Sequence, residues 1–154
     1  MQTLWQYHLV VSIFLAVHGN FETKDVRSIS SGLSFGMCAG YCKQSINMTL
    51  DPLQIIALKE PNFEQKSYPP IQKAFPTTQN AWEDIVTTIN LKIFQTLGDT
   101  VGCPDCADGG AEWIRVDWIN GSKRITFENG RAIKGLEELI EKLRQMRQQY
   151  IAQI

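Results

Sequence analysis

The side chains with the most chemistry in them are four cysteines, set as Cys38-x3-Cys42 and Cys103-x2-Cys106 in a chain of 154 residues. Pairs this close in sequence can close as disulfides, ligate a metal or exchange electrons as a dithiol. The rest of the reactive inventory is short, because the only histidines are His8 and His18. Both fall in a stretch that reads as a secretion signal: Leu9 to Val17 is an apolar run of h-region length, too short to cross a bilayer as a helix. Val17 and Gly19 would precede a cut before Asn20, although the stretch before the apolar run lacks Lys and Arg. Residues 1–19 are therefore expected to be a signal peptide and residues 20–154 a single α+β domain. A buried N-terminal helix or strand is the competing reading. With the signal removed no imidazole is left, which excludes a Ser-His-Asp or Cys-His centre and a His-ligated catalytic metal.

Three uses of the thiols compete. In the oxidising compartment that export implies, an even cysteine count most often means structural disulfides, with three possible connectivities. Chain entropy favours a bridge between the two loops, worth about 4 kcal/mol, over a local one worth about 2. If stability drove the arrangement, Cys38 or Cys42 would pair with Cys103 or Cys106. A second use is redox: Cys103-Pro104-Asp105-Cys106 has the C-P-x-C form of glutaredoxin active sites. The next residues, Ala107-Asp108-Gly109-Gly110, are poor helix-starting material, and the nearby acids would raise a thiol pKa. The third use is a zinc or iron site with all four cysteines as ligands, since C-P-D-C resembles the knuckle turn of rubredoxin-like sites. Against it stand Ala107 in place of the usual Gly and a spacing between pairs longer than in compact zinc ribbons. Disulfides rank first, metal and redox behind. Asp105, Asp108 and Glu112 form an acidic cluster without the calcium-loop ligand order; a small hydrolase using Asp108 and Glu112 is the weakest alternative.

These residues need elements to position them. Arg27 to Phe35 alternates with Ile29, Leu33 and Phe35 on one face and reads as a strand. Ile46, Met48 and Leu50, the turn Asp51-Pro52 and the apolar run Gln54 to Lys59 read as a hairpin. Glu60 to Thr77 contains Pro61, Pro69, Pro70 and Pro76 and is expected to be a long loop. A helix is expected from Asn80, capped by that residue, with Trp82, Ile85, Val86 and Ile89 on its core face and a second turn over Leu91 to Leu97. Asn120-Gly121 predicts a two-residue hairpin turn, which sets Val116 opposite Ile125, Ile114 opposite Phe127 and Trp118 opposite Lys123. On the other face Asp117 meets Arg124 and Trp113 meets Glu128. After Asn129-Gly130 a helix runs to about Ala152, its stripe being Leu136, Leu139, Leu143, Met146 and Tyr150. The expected fold is α+β, an antiparallel sheet of about five strands in β-β-β-α-β-β-α order with two helices packed on one face.

At Phe35 to Cys42, F-G-M-C-A-G-Y-C, and Gly102 to Trp113, G-C-P-D-C-A-D-G-G-A-E-W, the chain resembles a family of small secreted bacterial proteins, domains of unknown function. The resemblance implies export and a shared fold and carries no catalytic residue with it. The net charge of −1 and the lack of a basic run give no reason to expect nucleic acid, and no further apolar stretch predicts a membrane span in the mature chain. No dinucleotide or phosphate-loop fingerprint is present, and no cofactor is implied. The expectation is a non-enzymatic, secreted or periplasmic domain that binds another protein or an envelope component. Its alternatives are an extracytoplasmic thiol-disulfide protein and a four-cysteine metal-binding protein. If the two cysteine loops are neighbours, Tyr41, Asp105, Asp108, Glu112 and Trp113 make the candidate binding surface.

Overall fold

The computed structural model describes residues 22–154, so the expected signal peptide, with both histidines, lies outside the described residues. The chain forms β1 (Val26–Ser34), β2 (Lys43–Leu50), β3 (Leu53–Glu60), β4 (Ile71–Pro76), α1 (Gln79–Val86), α2 (Leu91–Thr96), β5 (Thr100–Val101), β6 (Ala111–Trp118), β7 (Gly121–Glu128) and α3 (Glu137–Ile151). One sheet takes all seven strands, in the order β4-β3-β2-β1-β6-β7-β5. Every pairing is antiparallel except that of β5 with β7, which is parallel. This corrects the expected five-strand antiparallel sheet with two helices: the sheet is mixed, has seven strands among the described residues, and carries three helices.

The additional elements were hidden for physical reasons. Strand β4 lies inside the proline-rich segment, but its only proline, Pro76, ends it, and among the described strands it is at the sheet edge, where proline is tolerated. Strand β5 is two residues long and leaves no periodicity to read. The expected first helix breaks in two at Asn90, whose side chain accepts the Ile93 N–H at 3.1 Å and starts α2 afresh. The cap of α1 is Thr78, which accepts from Ala81 N–H at 3.2 Å, and not Asn80. Helix α3 starts at Glu137 rather than just after Gly130, because Gly135 sits at φ 85° with the Ile93 side chain where its Cβ would be.

The β6–β7 hairpin keeps its expected faces but not its expected partners. Val116 lies opposite Lys123, Ile114 opposite Ile125, Trp113 opposite Thr126 and Asp117 opposite Ser122. The turn residues are Ile119 and Asn120, and Gly121 has moved into the strand opposite Trp118. A Cβ on Gly121 would come to 3.0 Å from the Trp118 indole, a tight approach that glycine avoids. A two-residue shift preserves the side-chain alternation, so the apolar face survives the error.

That face is the core side. Ile29, Ile46, Met48, Ile55, Ala57, Ile114, Val116, Ile125 and Phe127 point at the helices and are buried. Helix α3 crosses β1, β2 and β3. It sends in Leu139 and Leu143, while α2 contributes Phe94 and α1 contributes Trp82, Ile85 and Val86. Each such side chain stabilises the fold by about 1.5–3 kcal/mol relative to exposure. The helix stripe is therefore core, as expected, with Tyr150 packed on Phe75 at 4.9 Å between ring centroids. Among the described residues the opposite sheet face carries no helix; along β1 it shows Ser28, Ser30, Gly32 and Ser34.

Candidate functional site

The connections β1–β2 and β3–β4 leave the sheet at the same end, since Lys43 pairs with Glu60 and Ser34 with Lys43. Residues 35–42 form the first. Its backbone closes through Phe35 N–H donating to Cys42 O at 3.1 Å, and Cys38 is disulfide-bonded to Cys42 across 5.6 Å between Cα atoms. The second connection, residues 61–70, clasps the first. Asn62 Nδ2 donates to Phe35 O and Gly36 O at 2.8 and 2.9 Å, and Tyr68 packs on Gly40 and edge-on to Tyr41 at 5.4 Å.

The loop that precedes β6 joins them. Cys103 is disulfide-bonded to Cys106 across 5.5 Å between Cα atoms. Asp105, Ala107 and Asp108 all have positive φ, 59°, 52° and 57°. Non-glycine residues there cost on the order of 1–2 kcal/mol each, so the loop is held in shape rather than relaxed into it. Asp105 does the holding: its Oδ1 accepts from Gly110 N–H and its Oδ2 from Gly36 N–H, both at 3.0 Å. Gly110, at φ 84°, lies so close to the Phe35 ring that a Cβ would meet it at 2.5 Å. The loop is pinned from behind by Glu128, whose Oε1 accepts the Cys103 N–H at 2.9 Å. That hydrogen bond, with Arg131 at 3.2 Å helping and desolvation opposing, holds the Glu128 carboxyl below the usual carboxylate range.

The two cysteine loops are thus neighbours, but no disulfide joins them. Each bridge is local, against the expectation from chain entropy of a cross-loop bridge, and the connection between the loops is made instead by the Asp105 carboxylate and the Phe35 ring. With every sulfur bonded to its near neighbour in sequence, four thiolates are not on offer to a metal in this oxidised state.

The candidate surface divides. Tyr41 is half-buried, its hydroxyl donating to Pro69 O at 3.0 Å and the Lys59 ammonium 4.9 Å from its ring centroid. Asp105 is the tie between loops, and Asp108 is exposed at the tip. Trp113 belongs to the open sheet face, where it lies across Gly32 with the Arg124 guanidinium 4.2 Å above its ring centroid. Glu112 is not at the surface at all: it is 2% exposed and points to the helix side. There its Oε2 accepts from Arg147 at 3.2 Å and its Oε1 from Gly130 N–H at 2.9 Å and Arg144 at 3.0 Å. Arg147, 3% exposed, also donates to Ser31 Oγ at 2.8 Å. Burial pushes the Glu112 carboxyl up, but the Gly130 N–H and the two guanidiniums outweigh it and hold the pKa below its ordinary 4.5. A hydrolytic pairing of Asp108 with Glu112 is not formed, since one is at the loop tip and the other under α3.

Sequence reading missed the side chains that stand out most at this end. Met37, Phe63 and Tyr68 are 79%, 67% and 40% exposed, and all three sit on the two connections clasped by Asn62. Only Ile119, at the opposite end of the sheet, joins them as an exposed large apolar residue among those described. Their signal was apolar residues inside turn-rich segments, where no periodicity calls for them. No protein-family model matches the chain, and no curated protein sequence matches it.

Proposed function

We propose that this chain is a non-enzymatic binding module, exported to an oxidising compartment, whose loop end docks on a protein or envelope component. The observation that carries this reading is the grouping of Met37, Phe63 and Tyr68 on two loops that are hydrogen-bonded to one another, the first of them closed by the Cys38–Cys42 disulfide. Apolar side chains displayed on a pre-formed frame lose little conformational entropy on binding, which favours affinity. The two disulfides are compatible with an extracytoplasmic location. The resemblance of the two cysteine motifs to secreted bacterial domains points the same way.

Photo-crosslinking residues introduced at position 37 or 63 of the exported protein test the reading, with position 119 as the control at the far end. A discrete adduct from 37 and 63 that is absent from 119 supports it. Equal labelling at all three positions, or none at 37 and 63, contradicts it.

A second reading, thiol-disulfide exchange at Cys103–Cys106, draws on one observation, that Cys103 is exposed. It requires a reduction potential near the glutathione range, whereas a structural bridge is expected to lie below about −300 mV.

A further inference from the structure

The open sheet face has a cavity of about 300 Å³ beside the loop end, lined chiefly by Ser34, Lys43, Ser45, Glu60, Trp113 and Arg124. It is bordered by the small side chains Ser34 and Ser45, with the Trp113–Arg124 stack, laid across Gly32, forming one wall. Its volume is at the low end of small-molecule sites.

The polar groups around it are left in an uneven balance. Arg124 pairs in register with Arg115, a like charge directly opposite, which is destabilising unless relieved. Arg115 takes the available acid, donating from Nε to Asp117 at 2.8 Å and from its other end to Ser122 at 3.2 Å. Arg124 turns the other way, over Trp113, and among the described residues it makes no hydrogen bond or ion pair. Partial desolvation against Trp113, then the charge of Arg115, disfavour its protonated form although the residue is exposed, and an anion would offset both. The Trp113 indole N–H and the Ser34 and Ser45 hydroxyls also have no hydrogen-bond partner among the described residues. Lys43 has only Glu60, at 3.8 Å, outside hydrogen-bond range.

The cavity is therefore rich in donors and has a single carboxylate, that of Glu60. We propose that it binds a small hydroxyl-bearing monocarboxylate, of which a uronic acid is the type, with the Arg124 fork on the carboxylate and Lys43, Ser34, Ser45 and Glu60 on the hydroxyls. A planar guanidinium, already fixed by its stack, matches a carboxylate bidentately. Glu60 accepts from hydroxyls and repels a second negative charge, which selects against dianions such as phosphate. The faces of Trp113 are taken by Gly32 and Arg124, so the ligand is held by charge and hydrogen bonds rather than by stacking on the indole. This inference stands apart from the loop-end reading, since it uses none of Met37, Phe63 or Tyr68.

The test is a nitrogen–proton NMR titration of the full mature chain with glucuronate, glucose and inorganic phosphate in parallel, the Trp113 indole signal being assigned by its loss in Trp113→Phe. Glucuronate is expected to move that signal and the Gly32 and Ser45 amides saturably, with glucose and phosphate at least tenfold weaker. Arg124→Gln, an exposed position, should weaken glucuronate by roughly tenfold or more, the worth of a charge-assisted pair. Ser45→Leu, which fills the floor, should abolish the shifts while the rest of the spectrum stays folded. Equal binding by Arg124→Gln, glucose matching glucuronate, phosphate binding more tightly, or no saturable shift in tens of millimolar glucuronate would each overturn the assignment.

Discussion

Replacing Asp105 by Ala removes the link between the two cysteine loops without touching a sulfur. Two backbone N–H groups, Gly36 and Gly110, lose a carboxylate acceptor at 3.0 Å. Each such bond to a charged group is worth about 1.5 kcal/mol at the low end, and about half that here because Gly36 is exposed and Asp105 only half-buried. Placing Ala at φ 59°, which Asp tolerates better, adds about 1 kcal/mol. The sum is about 2.5 kcal/mol, or a fall in Tm of roughly 8 °C for a domain of this size. Urea unfolding followed by tryptophan fluorescence measures it, with an unchanged slope expected. Amide hydrogen exchange should show Gly36 and Gly110 both losing protection. Asp105→Asn keeps an acceptor and tolerates the left-handed backbone, so about 1 kcal/mol is expected. A loss below about 0.5 kcal/mol for the Ala variant, or faster exchange at Gly110 with Gly36 unchanged, would refute the role assigned to Asp105.

Three further outcomes rest on neighbouring contacts. Glu112→Gln leaves Arg147 buried without a counter-charge and should cost about 3 kcal/mol in urea unfolding at neutral pH. Because the folded-state pKa of Glu112 lies below its ordinary 4.5, its contribution is complete above that pH and is lost as pH falls through the folded value. The gap between wild type and variant should therefore shrink below pH 4.5 and stay constant above it. Gly32→Ala puts a Cβ inside the Trp113 indole and should destabilise by about 1–3 kcal/mol, with the Trp113 indole signal displaced. Met37→Ser with Phe63→Ser should change stability by less than about 0.5 kcal/mol, since both side chains are mostly in solvent, while removing the binding proposed for the loop end.

Much of the fold follows from alternation that the sequence displays openly. Ile46, Met48, Ile114, Val116, Ile125 and Phe127 fall on one face by alternation alone, and all six are buried. Register was less legible: Asn120-Gly121 has the composition of a tight turn, but Gly121 pairs with Trp118 in the strand and lies close under its indole, a contact between side chain and backbone that composition does not announce. Strand β4 was masked by prolines that flank or end it rather than interrupt it. The burial of Glu112 could have been read, because it continues the inward row of Ile114 and Val116, and Arg147 continues the stripe of Leu139 and Leu143. A charged residue on each of two inward-facing rows is the signature of a buried pair. The loop end was legible only in part. Cys38, Cys42, Cys103 and Cys106 marked it, whereas the contact between their loops rests on Asp105 reaching Gly36, 69 residues away in sequence.

The central claim is that the two cysteine loops at this end of the molecule are each closed by their own disulfide and joined without a covalent bond. Tryptic digestion of the unreduced protein, followed by mass spectrometry, tests it directly. Cleavage after Arg27, Lys43, Lys92 and Arg115 isolates Cys38 with Cys42 on one peptide and Cys103 with Cys106 on another. Local pairing predicts two separate peptides, each lighter than its reduced form by two hydrogens. A single species in which the two peptides travel together until reductant is added would contradict the account.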